Sequence, residues 1–177
     1  MKLFIESIAV FFSIASVALA MKKSIHNWTV GILGIIAYMV VFLQQKLYAD
    51  AALQVLFIFM SIWGYLSWKG VVKEIQANSR MKTENVIASI ILIFMCLWWF
   101  FSTCTDNPMP AADSLATILS IYATVLMARR KPICWQIWMA ADLVYIFIFL
   151  CSGLYLSAGL YVVFFFMAKN GYDQWKK

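Results

Sequence analysis

Shifted by 107 residues, the chain aligns with itself: residues 22–69 fall on 129–176 without a gap, and 16 of these 48 positions are identical. The matches include residues too rare to coincide by composition. Trp28 meets Trp135, Tyr38 meets Tyr145, Leu47-Tyr48 meets Leu154-Tyr155, Gly64-Tyr65 meets Gly171-Tyr172 and Trp68-Lys69 meets Trp175-Lys176. The same shift extends upstream, setting Glu6-Ser7 on Asp113-Ser114 and Ser13-Ile14 on Ser120-Ile121. Duplication of one structural unit is therefore the first constraint on the fold.

The repeated unit is apolar. Hydrophobic residues make up 64% of the chain and charged ones 12%, against about 25% charge in an ordinary soluble domain. Mean hydropathy is +0.84, and a packed soluble domain would have nowhere to hide that much apolar surface. A helix needs about 20 apolar residues to cross ~30 Å of hydrocarbon. Runs of suitable length fall near 3–21, 27–45, 47–68, 85–103, 113–128, 132–151 and 153–169. The fifth is expected to begin at Asp113 with Ser114 helping to cap it, after a break marked by Pro108 and Pro110. The first resembles a signal peptide, ending in Ala18-Leu19-Ala20, but Glu6 and Lys22-Lys23 suit a retained first helix with a partner later in the chain.

The duplication covers helices 1–3 and 5–7. Three helices are an odd unit, so a second copy joined directly would insert upside down; one linking helix restores its orientation. The expected fold is thus an all-α membrane protein of seven transmembrane helices in a 3+1+3 arrangement. Residues 1–69 form the first repeat, 70–108 the cytoplasmic loop, linker helix and start of an outer loop, and 109–177 the second repeat. Parallel repeats of this kind are a transporter architecture, with the substrate site near the midplane between them. The linker helix then needs no further role, and its Trp98-Trp99 pair reads as an interfacial anchor.

The basic residues give an orientation. Twelve of the fourteen Lys and Arg lie after helices 1, 3 and 5 or in the C-terminal tail, leaving only Lys2 and Lys46 on the other side. By the positive-inside rule the N-terminus is outside and the C-terminus cytoplasmic. Clusters in loops between apolar spans also argue against nucleic-acid binding, despite a net charge of +6. Cys96, Cys104, Cys134 and Cys151 lack metal-ligand spacing and read as small apolar helix residues; only Cys104 and Cys151 would lie toward the same outer face, so a disulfide, whose geometry the sequence does not give, is open to that pair alone. His26 sits beside a basic cluster and reads as a solvated loop residue. No cofactor or metal motif is present, no phosphate loop or GxSxG, and few polar groups lie inside the membrane for an enzyme to use.

Function should show where the copies disagree. Trp135, Trp138 and Asp142 are spaced i, i+3 and i+7, so one face of helix 6 carries all three; their counterparts are Trp28, Gly31 and Ile35. Asp142 falls near the bilayer centre, where an ionisable residue costs at least ~2.5–3.5 kcal/mol and marks a functional site by default. The structural alternative is a hydrogen bond between helices, to Ser120 or Thr124. A carboxylate beside two indole faces suits a flat or cationic ring. Gln54, opposite Tyr161 in the repeat, is able to read a sugar or amide or to bond across helices. Tyr38, Tyr145 and Tyr161 are weaker candidates. Two readings of another class remain: an enzyme acting on a lipid headgroup, with Asp106 and Asp113 near the outer interface, and a membrane assembly or receptor protein that transports nothing.

Trp135-x-x-Trp138-x-x-x-Asp142, with Leu47-Tyr48-Ala49, Leu53-Gln54, Gly64, Trp68, Asp113-Ser114, Gly153-Leu154-Tyr155 and Asn170-Gly171, resembles the signature of the Pnu vitamin transporters across nearly the whole chain. That resemblance implies a 3+1+3 fold akin to a full-length SWEET, a homotrimer, and residence in the bacterial cytoplasmic (inner) membrane. It implies uptake of nicotinamide riboside, or in relatives thiamine or riboflavin, by facilitated diffusion, with intracellular phosphorylation trapping the substrate. The implied substrate-binding residues are Trp135, Trp138 and Asp142, joined by Gln54, Tyr145 and Trp28. Nicotinamide riboside carriers of the family have Asn at the last motif position, where this chain has Asp142. Both candidate cargoes carry a cationic ring, so nicotinamide riboside and thiamine stay open at this point.

Overall fold

The computed structural model describes residues 2–44, 48–71, 83–105 and 108–176. Among these the chain forms seven helices and no strand: α1 (Lys2–Met21), α2 (His26–Gln44), α3 (Tyr48–Trp68), α4 (Thr83–Cys104), α5 (Pro110–Ala128), α6 (Cys134–Cys151) and α7 (Tyr155–Lys176). By length and composition α2, α5 and α6 qualify outright as membrane spans, and α1, α3 and α4 contain shorter apolar stretches. Exposed side chains such as Phe11, Phe59, Leu92, Trp99, Leu143 and Phe166 cover the outside. Such a surface is stable against lipid and not against water.

Two helix ends differ from the sequence expectation. α5 starts at Pro110 and not at Asp113, because proline's fixed φ and missing N–H suit the first helical position. Ser114 is therefore inside the helix, where its hydroxyl donates to the Pro110 carbonyl at 2.6 Å and caps nothing. α7 continues to Lys176, beyond the apolar stretch that ends near residue 169, because Trp175 is buried at 4% exposure against the end of α1. All four cysteines are free thiols, so the Cys104–Cys151 pairing is not made. His26 opens α2 and is exposed.

Helices adjacent in sequence pack together (α1 on α2, α2 on α3, α5 on α6, α6 on α7), and two pairings, α1 with α7 and α3 with α5, cross between the copies. α4 packs on α5, turns Phe101 inward and leaves Ile91, Leu92, Trp98 and Trp99 exposed.

Contacts recur at the 107-residue offset. A Cβ added to Gly64 would lie 2.6 Å from the Trp28 indole, and one added to Gly171 would lie 2.6 Å from the Trp135 indole. Only glycine allows these rings so close to the facing helix. Trp28 meets Trp68 edge to face at 5.6 Å, and Trp135 meets Trp175 in the same way at 5.5 Å. Two residues beyond the end of each of α1 and α5 stands a left-handed residue that is not glycine, Lys23 and Arg130 respectively, each at φ 54°.

Gly153, at φ +71°, makes the turn between α6 and α7, and nothing lies within 4 Å of where its Cβ would be. Gly153→Ala therefore meets only the backbone cost of a left-handed conformation, roughly 1–2 kcal/mol. The expected result is a thermal midpoint lower by a few degrees in detergent, with ligand binding unchanged.

Candidate functional site

A cavity of about 510 Å³ is lined by residues of all seven helices. Along α5 it reaches from Asp113 in the first turn to Met127 in the last, a span of about 21 Å at 1.5 Å per residue. The volume falls within the roughly 300–1,000 Å³ usual for small-molecule sites. The cavity follows most of the length of α5.

All six residues singled out in the sequence line this cavity: Trp28, Gln54, Trp135, Trp138, Asp142 and Tyr145. The helical spacing on α6 does place Trp135, Trp138 and Asp142 on one wall. Trp135 is 1% exposed, wedged between Gly171 and Trp175. Asp142 is 4% exposed, and no other described residue hydrogen-bonds its carboxylate. The inter-helix bond to Thr124 or Ser120 is not formed: the Thr124 hydroxyl donates along its own helix to the Ser120 carbonyl at 2.7 Å.

The indole N–H groups of Trp28, Trp135 and Trp138 are buried and without a protein acceptor. An unmet buried donor costs about 1–3 kcal/mol, and all three belong to residues that line this cavity. By contrast, the Nε1 atoms of Trp68 and Trp175 are both hydrogen-bonded. The unmet donors are therefore a property of the cavity lining and not of tryptophan in this fold.

The second copy supplies an aromatic wall as well. Tyr145 and Tyr161 lie 4.7 Å apart, and Phe149 stands 5.2 Å from Tyr161. In the first copy Tyr38 stacks on Phe42 at 6.1 Å, but Gln54 stands where Tyr161 would, leaving that wall amide-bearing. Both Gln54 and Tyr161 line the cavity.

Sequence reasoning missed several lining groups. Asp113, in the sequence reading the start of the fifth helix and a candidate acid for a lipid headgroup, lines the cavity and with Asp142 makes a second acidic residue there. Its repeat counterpart Glu6 is exposed, so both acids come from the second copy. Ser13, Ser16, Asn27, Ser61, Thr117 and Ser120 also line it. Several of these hydroxyls are engaged with backbone, Ser13 to the Ala9 carbonyl and Ser16 to that of Asn27. Small hydroxyl residues in apolar helices carry little sequence signal, because they serve equally well for close helix packing. Among the described residues no Lys, Arg or His lines the cavity, and no cluster of His, Cys, Asp or Glu suits a metal ion.

Comparison with known proteins agrees with a transport path. The sequence model of the family described as nicotinamide mononucleotide transporter matches residues 3–177. The nicotinamide riboside transporter PnuC of Escherichia coli K12 is 23% identical over 201 residues, covering 97% of this chain and 84% of that protein. PnuC of Neisseria mucosa is 22% identical over 196 residues, covering 98% of this chain and 72% of that protein. A crystal structure of the vitamin B3 transporter PnuC superposes with a TM-score of 0.75 at 19% identity, over 98% of this chain and 80% of that one.

Proposed function

We propose, from the premise that this chain belongs to the nicotinamide mononucleotide transporter family, that it carries nicotinamide riboside across a membrane by facilitated diffusion. One observation carries the choice of cargo: the cavity has two carboxylates, Asp113 and Asp142, tryptophan faces beside one of them, and no cation of its own among the described residues. A pyridinium ring is a flat cation. It gains cation–π attraction from Trp135 and Trp138 and charge compensation from Asp142. The ribose hydroxyls and carboxamide are hydrogen-bonding partners for Gln54. The phosphorylated form is disfavoured, because its phosphate would enter an acidic cavity with no Lys or Arg to meet it.

The wider reading follows from the family and the sequence. The seven helices act as two parallel three-helix repeats with α4 as linker, the chain sits in the bacterial inner membrane as a trimer, and the basic loops face the cytoplasm. Transport is passive, and phosphorylation inside the cell retains the cargo. The chain carries out no chemistry itself. Thiamine is the second reading, favoured by Asp142 at a position where nicotinamide riboside carriers have Asn.

Uptake into proteoliposomes tests the proposal. Labelled nicotinamide riboside should enter saturably, stop when inside and outside concentrations match, and be unaffected by an imposed pH gradient. Nicotinamide mononucleotide should not compete. Uptake no faster than into protein-free liposomes would reject the cargo, and saturable entry of thiamine alone would select the second reading.

A further inference from the structure

We infer that Trp68 and Trp175 form the gate that closes the cavity on the side of the basic loops. The cavity ends there on Trp28 and Trp135, with Ala20, Met127 and Ala168 around them. Behind this first layer stands a second one, which the cavity does not touch. Trp68 packs edge to face on Trp28, Trp175 does the same on Trp135, and Trp68 and Trp175 meet each other at 6.0 Å. The four rings belong to one buried cluster.

The second layer is locked by a crossed set of hydrogen bonds. Trp68, at the end of α3, donates its indole N–H to the Met127 and Ala128 carbonyls at 3.1 Å, at the end of α5. Trp175, at the end of α7, donates to the Ala20 and Met21 carbonyls at 3.0 and 3.1 Å, at the end of α1. Each copy of the repeat thus seals the other's first helix by meeting carbonyls that a helix end leaves unpaired. The four acceptor positions are themselves 107 residues apart in pairs.

Basic residues close the outside of this layer. Arg130 lies over the Trp68 ring at 5.0 Å and donates to the Trp68 carbonyl at 3.2 Å, and Lys23 lies over the Trp175 ring at 5.9 Å. These are the two residues held at φ 54°. A left-handed backbone is unfavourable for a long side chain, and here it brings a cation over each gate ring. These bonds also join the two copies at their last turns. Cargo moving along α5 toward the basic loops cannot leave until they part, whereas Asp142, about two turns along α6 from Trp135, takes no part in these bonds. Opening is therefore separable from binding.

The chain carries its own reporter for this motion. Cys134 is 0% exposed, lies within the same buried cluster, and is the neighbour of Trp135. Cys96, Cys104 and Cys151 are exposed, so their replacement by serine leaves Cys134 as the single thiol. Trp68→Phe and Trp175→Phe each keep a ring but lose the N–H. In that background the modification of Cys134 by N-ethylmaleimide should accelerate at least fivefold in either variant and further in both together. Affinity for nicotinamide riboside should change less than threefold, while the rate of uptake changes. Unaccelerated labelling in correctly folded variants would overturn the gate. Equal acceleration in Gly153→Ala, which loosens the fold at the far end of α6, would overturn it too, as general softening. The inference rests on the transport reading for its meaning, but the labelling needs no cargo. A protein that fails to take up nicotinamide riboside yet labels as described would reject the cargo and keep the gate.

Discussion

Asp142→Leu should weaken nicotinamide riboside binding by about 100-fold or more, as read by calorimetric titration, and should leave the protein no less stable. Both halves follow from one fact: a carboxylate that is 4% exposed, with no hydrogen bond from another described residue. Removing one member of a buried, charge-assisted pair with a ligand costs about 2–5 kcal/mol, and each 1.4 kcal/mol is about tenfold in affinity. In the empty protein the same carboxylate is a desolvated group with little return, so an apolar residue of similar volume is neutral or stabilising. The expected thermal midpoint without ligand is therefore equal or higher, while the ligand-induced rise disappears.

Asp142→Asn separates charge from hydrogen bonding at this position. The amide still accepts and donates, so nicotinamide riboside should bind within about tenfold of the original affinity. What should collapse is discrimination between the pyridinium form and its uncharged dihydropyridine analogue. If Asp142→Leu binds as well as the unaltered protein, the wall on α6 is not where the ring sits.

Much of this site was legible because duplication supplies an internal control. Matched positions such as Trp28 with Trp135 and Gly64 with Gly171 mark what the fold needs, and the structure finds each glycine under its tryptophan. Unmatched positions such as Gly31 with Trp138 and Ile35 with Asp142 mark what one copy added, and those additions line the cavity. Asp113 was harder to place, because an acid at a helix start is equally well explained by the helix dipole. The gate was not legible at all. Trp68 and Trp175 match each other, which indicates a structural role, but nothing in a linear sequence shows that each indole reaches the other copy's helix end. The true end of α7 was hidden for the same reason: hydropathy reports the lipid boundary, whereas this helix is extended past it by the docking of one residue, Trp175.

The two glycines under the tryptophans allow fold and function to be separated in a single comparison. Gly64→Ala and Gly171→Ala each place a methyl group 2.6 Å from an indole ring. Both ought to gain about 1 kcal/mol of helix propensity, and both should lose about 1–3 kcal/mol or more to overpacking. The closest approaches are equal, so the two variants should show similar falls in thermal midpoint. Their effects on binding should differ. Gly171→Ala pushes on Trp135, which shares its wall with Trp138 and Asp142, and a ring displaced there disturbs stacking and charge alignment together. Nicotinamide riboside affinity should fall by about tenfold or more, by the 1.4 kcal/mol per decade that converts a misaligned contact into a dissociation constant. Gly64→Ala pushes on Trp28, whose helix carries Gly31 and Ile35 at the corresponding positions, so affinity should move by no more than about threefold. Equal losses of affinity in the two variants would mean that the ligand is held symmetrically by both copies, and would remove the argument that the departures from symmetry on α6 locate the site.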